Sequence, residues 1–237
     1  MTQRQSEQGT RPSAPGQQVP VPQPAGPDTG VTLESWGFAE DFVPLDDAIS
    51  RSRQNAVGMG LDAPSGGTVS VLRLVARMVQ ARAVVEIGTG AGATGLALFE
   101  GMDPAGVLTS IDSEPDRQGA ARQAFAAAGL KPQRFRLIAG SPLDVLPKLR
   151  DGAYDLVLIN GDKLEYVEYL AQSLRLLRHG GVVVMNDALW HNLVADEGNE
   201  DDETLIIREA LQSVQATEEF TSALLPVGNG LMIAVKQ

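Results

Sequence analysis

The stretch Ala83-Val84-Val85-Glu86-Ile87-Gly88-Thr89-Gly90-Ala91-Gly92-Ala93-Thr94 decides how the rest of the chain is read. Residues 84–87 form a short, largely β-branched run that stops at turn residues, the pattern of a buried strand. Gly88, Gly90 and Gly92 let the backbone turn sharply and approach a ligand with no Cβ in the way. The helix expected after them aims its first amides at whatever sits there.

Downstream, apolar runs and helical patterns alternate. Residues 107–111 predict a second strand ending in Asp112, followed by an Ala-rich helix over 115–128 with Gly129 beyond its end. A third strand over 135–139 leads into Gly140-Ser141 and a helix over 142–150. Residues 154–159 are a continuous apolar strand closing on Asn160-Gly161-Asp162-Lys163; a helix over 165–177 ends at His179-Gly180-Gly181. A fifth strand over 182–185 closes on Asn186-Asp187. Unbroken apolar strands separated by helices predict a parallel sheet covered on both faces. After a helix over 203–215, the runs 220–226 and 231–235 are separated by Gly228-Asn229-Gly230, a hairpin in which at least one strand runs antiparallel to the others.

Upstream, residues 68–80 have helical spacing, and the glycine-rich residues 55–67 predict a loop at the mouth of the site. Residues 31–54 are helical, with Trp36, Phe38, Phe42 and Leu45 as anchors, and serve as a lid, a dimer contact or simple packing on the domain. Residues 1–30 are rich in Pro, Gln, Gly and Ser and predict a disordered tail, leaving one domain over 31–237.

Composition narrows the function. A formal net charge of -11 disfavours nucleic acid and anionic membrane as partners. With no cysteine in the 237 residues, disulfides, thiolate metal sites and cysteine nucleophiles are excluded. No apolar run approaches the roughly 20 residues of a membrane span, and the N-terminus lacks the apolar core of a signal peptide, so a cytoplasmic location is expected.

In open α/β sheets ligands bind outside the carboxyl ends of the strands. Those ends carry Glu86 and Gly88, Asp112, Gly140 and Ser141, Asn160 with Asp162 and Lys163, and Asn186 with Asp187, a row that marks a pocket. Asp112 suits both hydroxyls of a ribose, a placement shared by dinucleotide and methyl-donor folds. Gly88, Gly90 and Ala93 also satisfy the looser dinucleotide fingerprint, so an NAD(P)-dependent oxidoreductase is the competing enzyme. Glu86 separates the two, because a carboxylate there repels a pyrophosphate and welcomes an ammonium or a sulfonium.

The motif Val85-Glu86-Ile87-Gly88-Thr89-x-x-Gly92-x-Thr94 resembles motif I of the S-adenosylmethionine-dependent O-methyltransferases, within them the catechol and caffeoyl-CoA type (O-methyltransferase family 3). The resemblance extends through Ser110-Ile111-Asp112, Gly140-Ser141-Pro142-x-Asp144-Val145-Leu146-Pro147 and Asp155-Leu156-Val157-Leu158-Ile159-Asn160-Gly161-Asp162-Lys163-x-x-Tyr166, and ends at Asn186-Asp187-Ala188-Leu189-Trp190 and Val194-Ala195-Asp196. It implies a Rossmann-like class I methyltransferase with a seven-stranded, mostly parallel sheet, a C-terminal antiparallel hairpin and helices on both faces. It also implies S-adenosyl-L-methionine as cofactor, a small-molecule hydroxyl as acceptor and a homodimer. Val57, Glu86, Gly88, Thr89 and Thr94 would contact the methionine moiety and its surroundings. Asp112 would hold the ribose, Ser113 and Ser141 would flank the adenosine, and Asp162 would lie near the methyl donor. Helix capping is the alternative role for Thr94, Ser141 and Asp162.

The chain departs from the family where the family holds a divalent cation such as Mg²⁺. Related enzymes place Asp at the position of Asn160 and an Asp-Asn pair at Asn186-Asp187. The set Asn160, Asn186, Asp187 leaves one carboxylate where the pattern has two, with the pair reversed. An amide in place of a carboxylate removes a full charge from a hard cation's shell, so weak or absent metal dependence is expected. The three side chains would then line the acceptor pocket. Lys163 matches the family's general base, and Asn160 and Lys163 are the candidate catalytic residues; a salt bridge from Lys163 to Asp162 or Glu165 is the competing reading. His191 is a second candidate base. His179 reads as a helix C-terminal residue. A non-catalytic binder that kept the cofactor pocket and lost the metal set is the alternative from another class.

Overall fold

The structure is a computed structural model that describes residues 31–237; the tail expected over 1–30 lies outside the described residues. Seven strands form one sheet: β1 Ala83–Ile87, β2 Val107–Asp112, β3 Phe135–Ala139, β4 Tyr154–Ile159, β5 Leu177–Asn186, β6 Phe220–Leu225 and β7 Leu231–Lys236. Their order is β3-β2-β1-β4-β5-β7-β6. The first five are parallel, and β7 runs antiparallel to both β5 and β6, so the C-terminal hairpin reverses one strand only. The helices are α1 Leu33–Glu40, α2 Asp47–Gly58, α3 Gly66–Met78, α4 Ala93–Gly101, α5 Pro115–Ala127, α6 Pro142–Val145, α7 Tyr166–Leu176 and α8 Asp202–Ala216.

Alternation along each strand divides the core in two. Val84, Leu108, Leu156, Leu158, Val182 and Val184 face one way and are buried with side chains of α3, α4 and α5. Val85, Ile87, Ile111, Val157, Ile159, Val183 and Met185 face the other way and are buried with α7 and α8. Both faces being covered explains why the central strands are mostly apolar on both sides. On the first side, Phe125 meets Phe99 and Phe135 edge-on at ring separations of 5.4 and 5.2 Å.

The order places the topological switch point at β1, with β2 on one side and β4 on the other. The crevice outside their carboxyl ends is where an open α/β sheet takes its ligand. Main-chain bonds extend the ladder past the strands there: Gly88 N–H donates to Ile111 O at 2.8 Å, Asn160 N–H to Ile87 O at 2.8 Å and Gly140 N–H to Asp112 O at 2.9 Å.

Four sequence expectations are corrected. The loop expected over 55–67 is shorter, because α2, capped by the Asp46 carboxylate at Ala48 N–H, runs to Gly58, and α3 begins at Gly66. The helix expected over 142–150 is only α6 followed by a 3-10 turn at Leu146–Lys148, where Pro147 brings no amide to continue it. β5 starts earlier than expected, at Leu177: its pairing with β4 jumps from Tyr154–Leu177 to Leu156–Val182, and the intervening residues bulge. His179 therefore sits exposed in a bulged strand and not at a helix end.

The fourth correction concerns the N-terminal anchors. Phe38 and Phe42 are 73% and 71% exposed, while Leu45 packs against the core. What fastens α1 is Glu40, whose buried carboxylate accepts from Gly67 N–H at 2.7 Å and Gly228 N–H at 2.6 Å. One acid thus ties α1 to the start of α3 and to the β6–β7 turn.

Candidate functional site

A cavity of about 630 Å³ opens at the switch point. The turn after β1 lines it with Gly88 and Gly90, the end of β2 with Asp112 and Ser113, the start of α5 with Glu114 and Arg117, and the turn after β3 with Ser141 and Pro142. Asn160, Gly161, Asp162 and Lys163 enter from β4, Glu165 and Tyr169 from the following helical turns, Asp187 and Trp190 from beyond β5, and Gly60, Leu61 and Asp62 from the loop after α2. Six carboxylates (Asp62, Asp112, Glu114, Asp162, Glu165, Asp187) face two cations (Arg117, Lys163), a field that favours a positively charged ligand.

Asp112 anchors the floor. Its Oδ2 accepts from Gly90 N–H at 3.1 Å and its Oδ1 from Glu114 N–H at 3.0 Å, with the Arg117 guanidinium 3.5 Å away. These bonds fix the carboxylate while leaving acceptor capacity for ligand hydroxyls, since two oxygens offer about four lone-pair positions. Gly88 has φ +90°, and a Cβ on it would run into the backbone carbonyl of Asn160. The turn after β1 and the end of β4 meet here with no room for a side chain.

The sequence-predicted residues divide. Gly88, Asp112, Ser113, Ser141, Asp162, Asn160, Lys163 and Asp187 all line the cavity. Ser141 precedes α6 without making a side-chain cap, whereas Asp162 caps the next turn at Leu164 N–H, 3.0 Å. Val57 does not reach the cavity: it lies on α2, 65% exposed, because the helix outlasts the expected loop. Glu86, Thr89 and Thr94 are buried beneath the floor and do not line it.

Glu86 is a strut. Its carboxylate accepts from Thr94 Oγ1 at 2.6 Å and Ser110 Oγ at 2.5 Å; Thr89 Oγ1 lies 2.6 Å from Ser110 Oγ, and Gln118 Nε2 donates to Thr89 Oγ1 at 2.8 Å. The chain of bonds joins β1, β2, α4 and α5 under the glycine turn. Burial raises the Glu86 pKa, the Ser110 and Thr94 hydroxyls pull it back, and nearby Asp112 adds to the rise, leaving it at about 7. The folded value lies above the ordinary one of 4.5, so the contribution to stability is full below pH 4.5 and is lost as pH rises through about 7. The loss is about 3 kcal/mol. Urea unfolding of the parent chain and of Glu86→Gln should therefore diverge with pH, the parent falling relative to the variant from pH 5 to pH 8. Parallel curves would contradict the assignment.

A second cavity of about 260 Å³ adjoins the first and shares Asp62, Asn160 and Asp187 with it. Trp36 of α1, Ser65 and Thr68 at the start of α3, Asn186, His191 and Asn229 are also in its wall. Asn186 Nδ2 donates to Asn160 Oδ1 at 2.8 Å, Lys163 Nζ pairs with Asp187 Oδ2 at 2.7 Å, and Asn229 Nδ2 lies 3.3 Å from Asp187 Oδ1. Of the side chains in the family's cation positions, the two amides thus bond to each other and the carboxylate is taken by Lys163 and Asn229, and among the described residues no group of three His, Cys, Asp or Glu is placed to hold a metal ion. Two amides and an ion-paired carboxylate do not fit a hard divalent cation. The partner of Lys163 is Asp187, not Asp162 or Glu165. Burial disfavours the Lys163 charge, but Tyr166 and the Asp187 carboxylate outweigh it and hold the ammonium above the ordinary lysine range. A lysine so held is a poor proton acceptor.

The backbone around this pair is unusual. Asp187, Trp190, His191 and Asn192 have φ of 56°, 41°, 54° and 67°, a region L residues enter at about 1–2 kcal/mol each. The segment is pinned by Ala188 N–H to Gly230 O at 3.0 Å, Leu189 N–H to Asn229 O at 2.9 Å and His191 N–H to Asn229 Oδ1 at 2.5 Å. Arg208 of α8 donates to the carbonyls of Leu193, Val194, Asp196 and Asn199 and closes the loop from behind. Strain of this kind, held by its surroundings, is typical of functional sites.

Sequence reasoning missed Asp62, Arg117 and Tyr169 as cavity residues, and took Trp190 only as part of a motif. Arg117 was within reach: it lies five positions after Asp112, one turn into the following helix.

With this geometry in place, comparison with known proteins is informative. The model of the O-methyltransferase family matches residues 55–237. A chain named probable O-methyltransferase from Mycobacterium tuberculosis is 41% identical over 222 residues, 94% of this chain and 98% of that one. Among solved structures, a Corynebacterium glutamicum protein superimposes with a TM-score of 0.78 at 31% identity, covering 84% of this chain and 94% of that chain. The O-methyltransferase TomG of Streptomyces achromogenes, solved with S-adenosylmethionine, gives 0.77 at 27% identity, covering 86% and 98%.

Proposed function

The chain belongs to the O-methyltransferase family, and from that premise we propose that it moves the methyl group of S-adenosylmethionine to a hydroxyl of a small molecule without needing a divalent cation. The observation that carries the cofactor half is the cavity at the switch point, with an anchored Asp112 carboxylate on its floor and an excess of acids around it. A sulfonium donor is cationic, so this field suits it and opposes a dinucleotide's pyrophosphate. Asp112 would hold the ribose, Ser113 and Ser141 the adenosine, and Gly88 and Asp162 the methionine end. The second cavity would take the acceptor, with Trp36 as one wall.

The rate gain in such a site comes from placing the acceptor oxygen in line with the methyl carbon and the sulfur. Titration calorimetry separates the readings: S-adenosylhomocysteine should bind and NADH should not. Transfer of labelled methyl from S-adenosylmethionine to a panel of phenols then distinguishes an enzyme from a binder. Binding of NADH alone would overturn the proposal.

We extend the proposal to a homodimer. Leu33, Phe38 and Phe42 expose 82%, 73% and 71% of their surface on and just after α1, and the Phe38 and Phe42 rings lie 6.2 Å apart, an exposed apolar cluster of the kind that marks an interaction surface. Light scattering giving a single-chain mass would refute this. We also place the enzyme in the cytoplasm, acting on neither nucleic acid nor membrane. The absence of cysteine and the -11 charge support this, and among the described residues no helix is long and apolar enough to cross a membrane. Fractionation of cells checks the location.

A further inference from the structure

We propose that Glu40 is a positioning residue for methyl transfer: its carboxylate docks α1 so that Trp36 completes the acceptor cavity, and acceptor affinity follows the strength of that dock. This rests on the methyl-transfer reading above and assigns the control of acceptor binding within it.

Little else holds α1. Of its eight residues Glu40 alone is buried, and Leu33 and Phe38 are turned to solvent. Among the described residues, the hydrogen bonds that join α1 to the rest of the domain are the two made by Glu40. Its Oε2 accepts from Gly67 N–H at 2.7 Å and its Oε1 from Gly228 N–H at 2.6 Å. The remaining bonds of α1 are local, such as Trp36 N–H to Thr32 O at 2.9 Å.

The socket suits a carboxylate. Gly67 is the second residue of α3, where main-chain N–H groups lack a partner within the helix and the helix dipole favours an anion. A Cβ on Gly67 would displace the Glu40 carboxylate, and one on Gly66 would run into the Glu40 carbonyl. Both positions therefore leave the space that the acid and its backbone fill.

The segments that form the socket also form the acceptor cavity. Ser65 and Thr68 flank Gly67, Gly228 and Asn229 belong to the β6–β7 turn, and all four line the second cavity with Trp36. Trp36 precedes Glu40 by four residues, one helical turn, so both lie on one face of α1. Seating the carboxylate thus brings the indole to the cavity. When α1 is undocked that wall is missing, and the apparent affinity for acceptor falls with the docked fraction. Among the described residues, none from α1, α3 or the β6–β7 turn lines the cofactor cavity, so cofactor binding is independent of the dock.

The experiment measures methyl transfer from S-adenosylmethionine to the panel of phenols by the full chain, with S-adenosylhomocysteine affinity read by calorimetry. Glu40→Ala should raise KM for the phenol by about 10-fold or more, because each hydrogen bond to a charged acceptor accounts for about that factor. At saturating phenol kcat should stay near that of the parent, since bound acceptor favours the docked helix. S-adenosylhomocysteine affinity should be unchanged, which reports an intact fold. Glu40→Gln keeps the side chain's size and one accepting oxygen, should fall between, and carries the test if the alanine variant does not fold. Trp36→Ala should raise KM in the same way, and combining it with Glu40→Ala should add little, because both remove one wall. Parental KM in both Glu40 variants would overturn the proposal. So would KM effects that multiply in the double variant, or kcat and S-adenosylhomocysteine affinity falling together, the mark of a purely structural role. A parent chain that binds no S-adenosylhomocysteine would bring down the methyl-transfer reading itself, and this proposal with it.

Discussion

Asp112→Ala is expected to weaken S-adenosylhomocysteine binding by at least about 100-fold while leaving the fold standing. The carboxylate would accept from two ribose hydroxyls, and hydrogen bonds to a charged group contribute about 1.5–3 kcal/mol each. Their joint loss is about 3 kcal/mol or more, which is two orders of magnitude in affinity. The fold survives because the sheet contact at this residue is made by its carbonyl oxygen, to Gly140 N–H at 2.9 Å, and alanine keeps it. The amides of Gly90 and Glu114, which now donate to the carboxylate, border an open cavity where water can replace it. Asp112→Asn should fall between the two, keeping one acceptor oxygen. Calorimetry measures both; wild-type affinity in Asp112→Ala would remove the carboxylate from the binding site.

Gly88→Val is expected to have the largest combined effect, abolishing cofactor binding and lowering the melting temperature by about 10 °C. A β-branched residue at φ +90° is strained, and its Cβ would strike the backbone carbonyl of Asn160, which cannot swing aside as a side chain can. Strain and overpacking together cost about 3–4 kcal/mol, and in a chain of this size each kcal/mol shifts the midpoint by about 2–4 °C. The backbone moves either at the turn after β1 or at the end of β4, and both line the cavity. Gly88→Ala should show the same two effects more weakly. Thermal unfolding with and without S-adenosylhomocysteine reads stability and binding in one experiment; a variant still stabilised by the ligand would show that the close approach is dispensable.

How much of this was legible beforehand depended on the kind of signal. The parallel strands were legible because burial on both faces makes them unbroken apolar runs, and their polar ends marked the crevice without any contact information. Glu86 was legible as important but not as a strut. The alternation that puts it on one face with Val84 also turns it away from the cavity and towards Ser110 and Thr94. Val57 was misplaced because Gly58 and Gly60 were taken as loop residues, when they end a helix begun by the Asp46 cap. His179 was misplaced because paired glycines end helices and permit bulges alike. The ion pair of Lys163 with Asp187 joins residues twenty-four apart in sequence on neighbouring strand ends, a contact that no local pattern encodes.

The central claim is methyl transfer without a metal ion, and one measurement tests it most directly. The rate of transfer from S-adenosylmethionine to a phenol is followed first in excess chelator and then with Mg²⁺ restored in excess. The account predicts undiminished turnover in chelator and no gain on adding Mg²⁺, because Asn160 and Asn186 bond to each other and Asp187 is held by Lys163. Activity that vanishes with the chelator and returns with Mg²⁺ would contradict it.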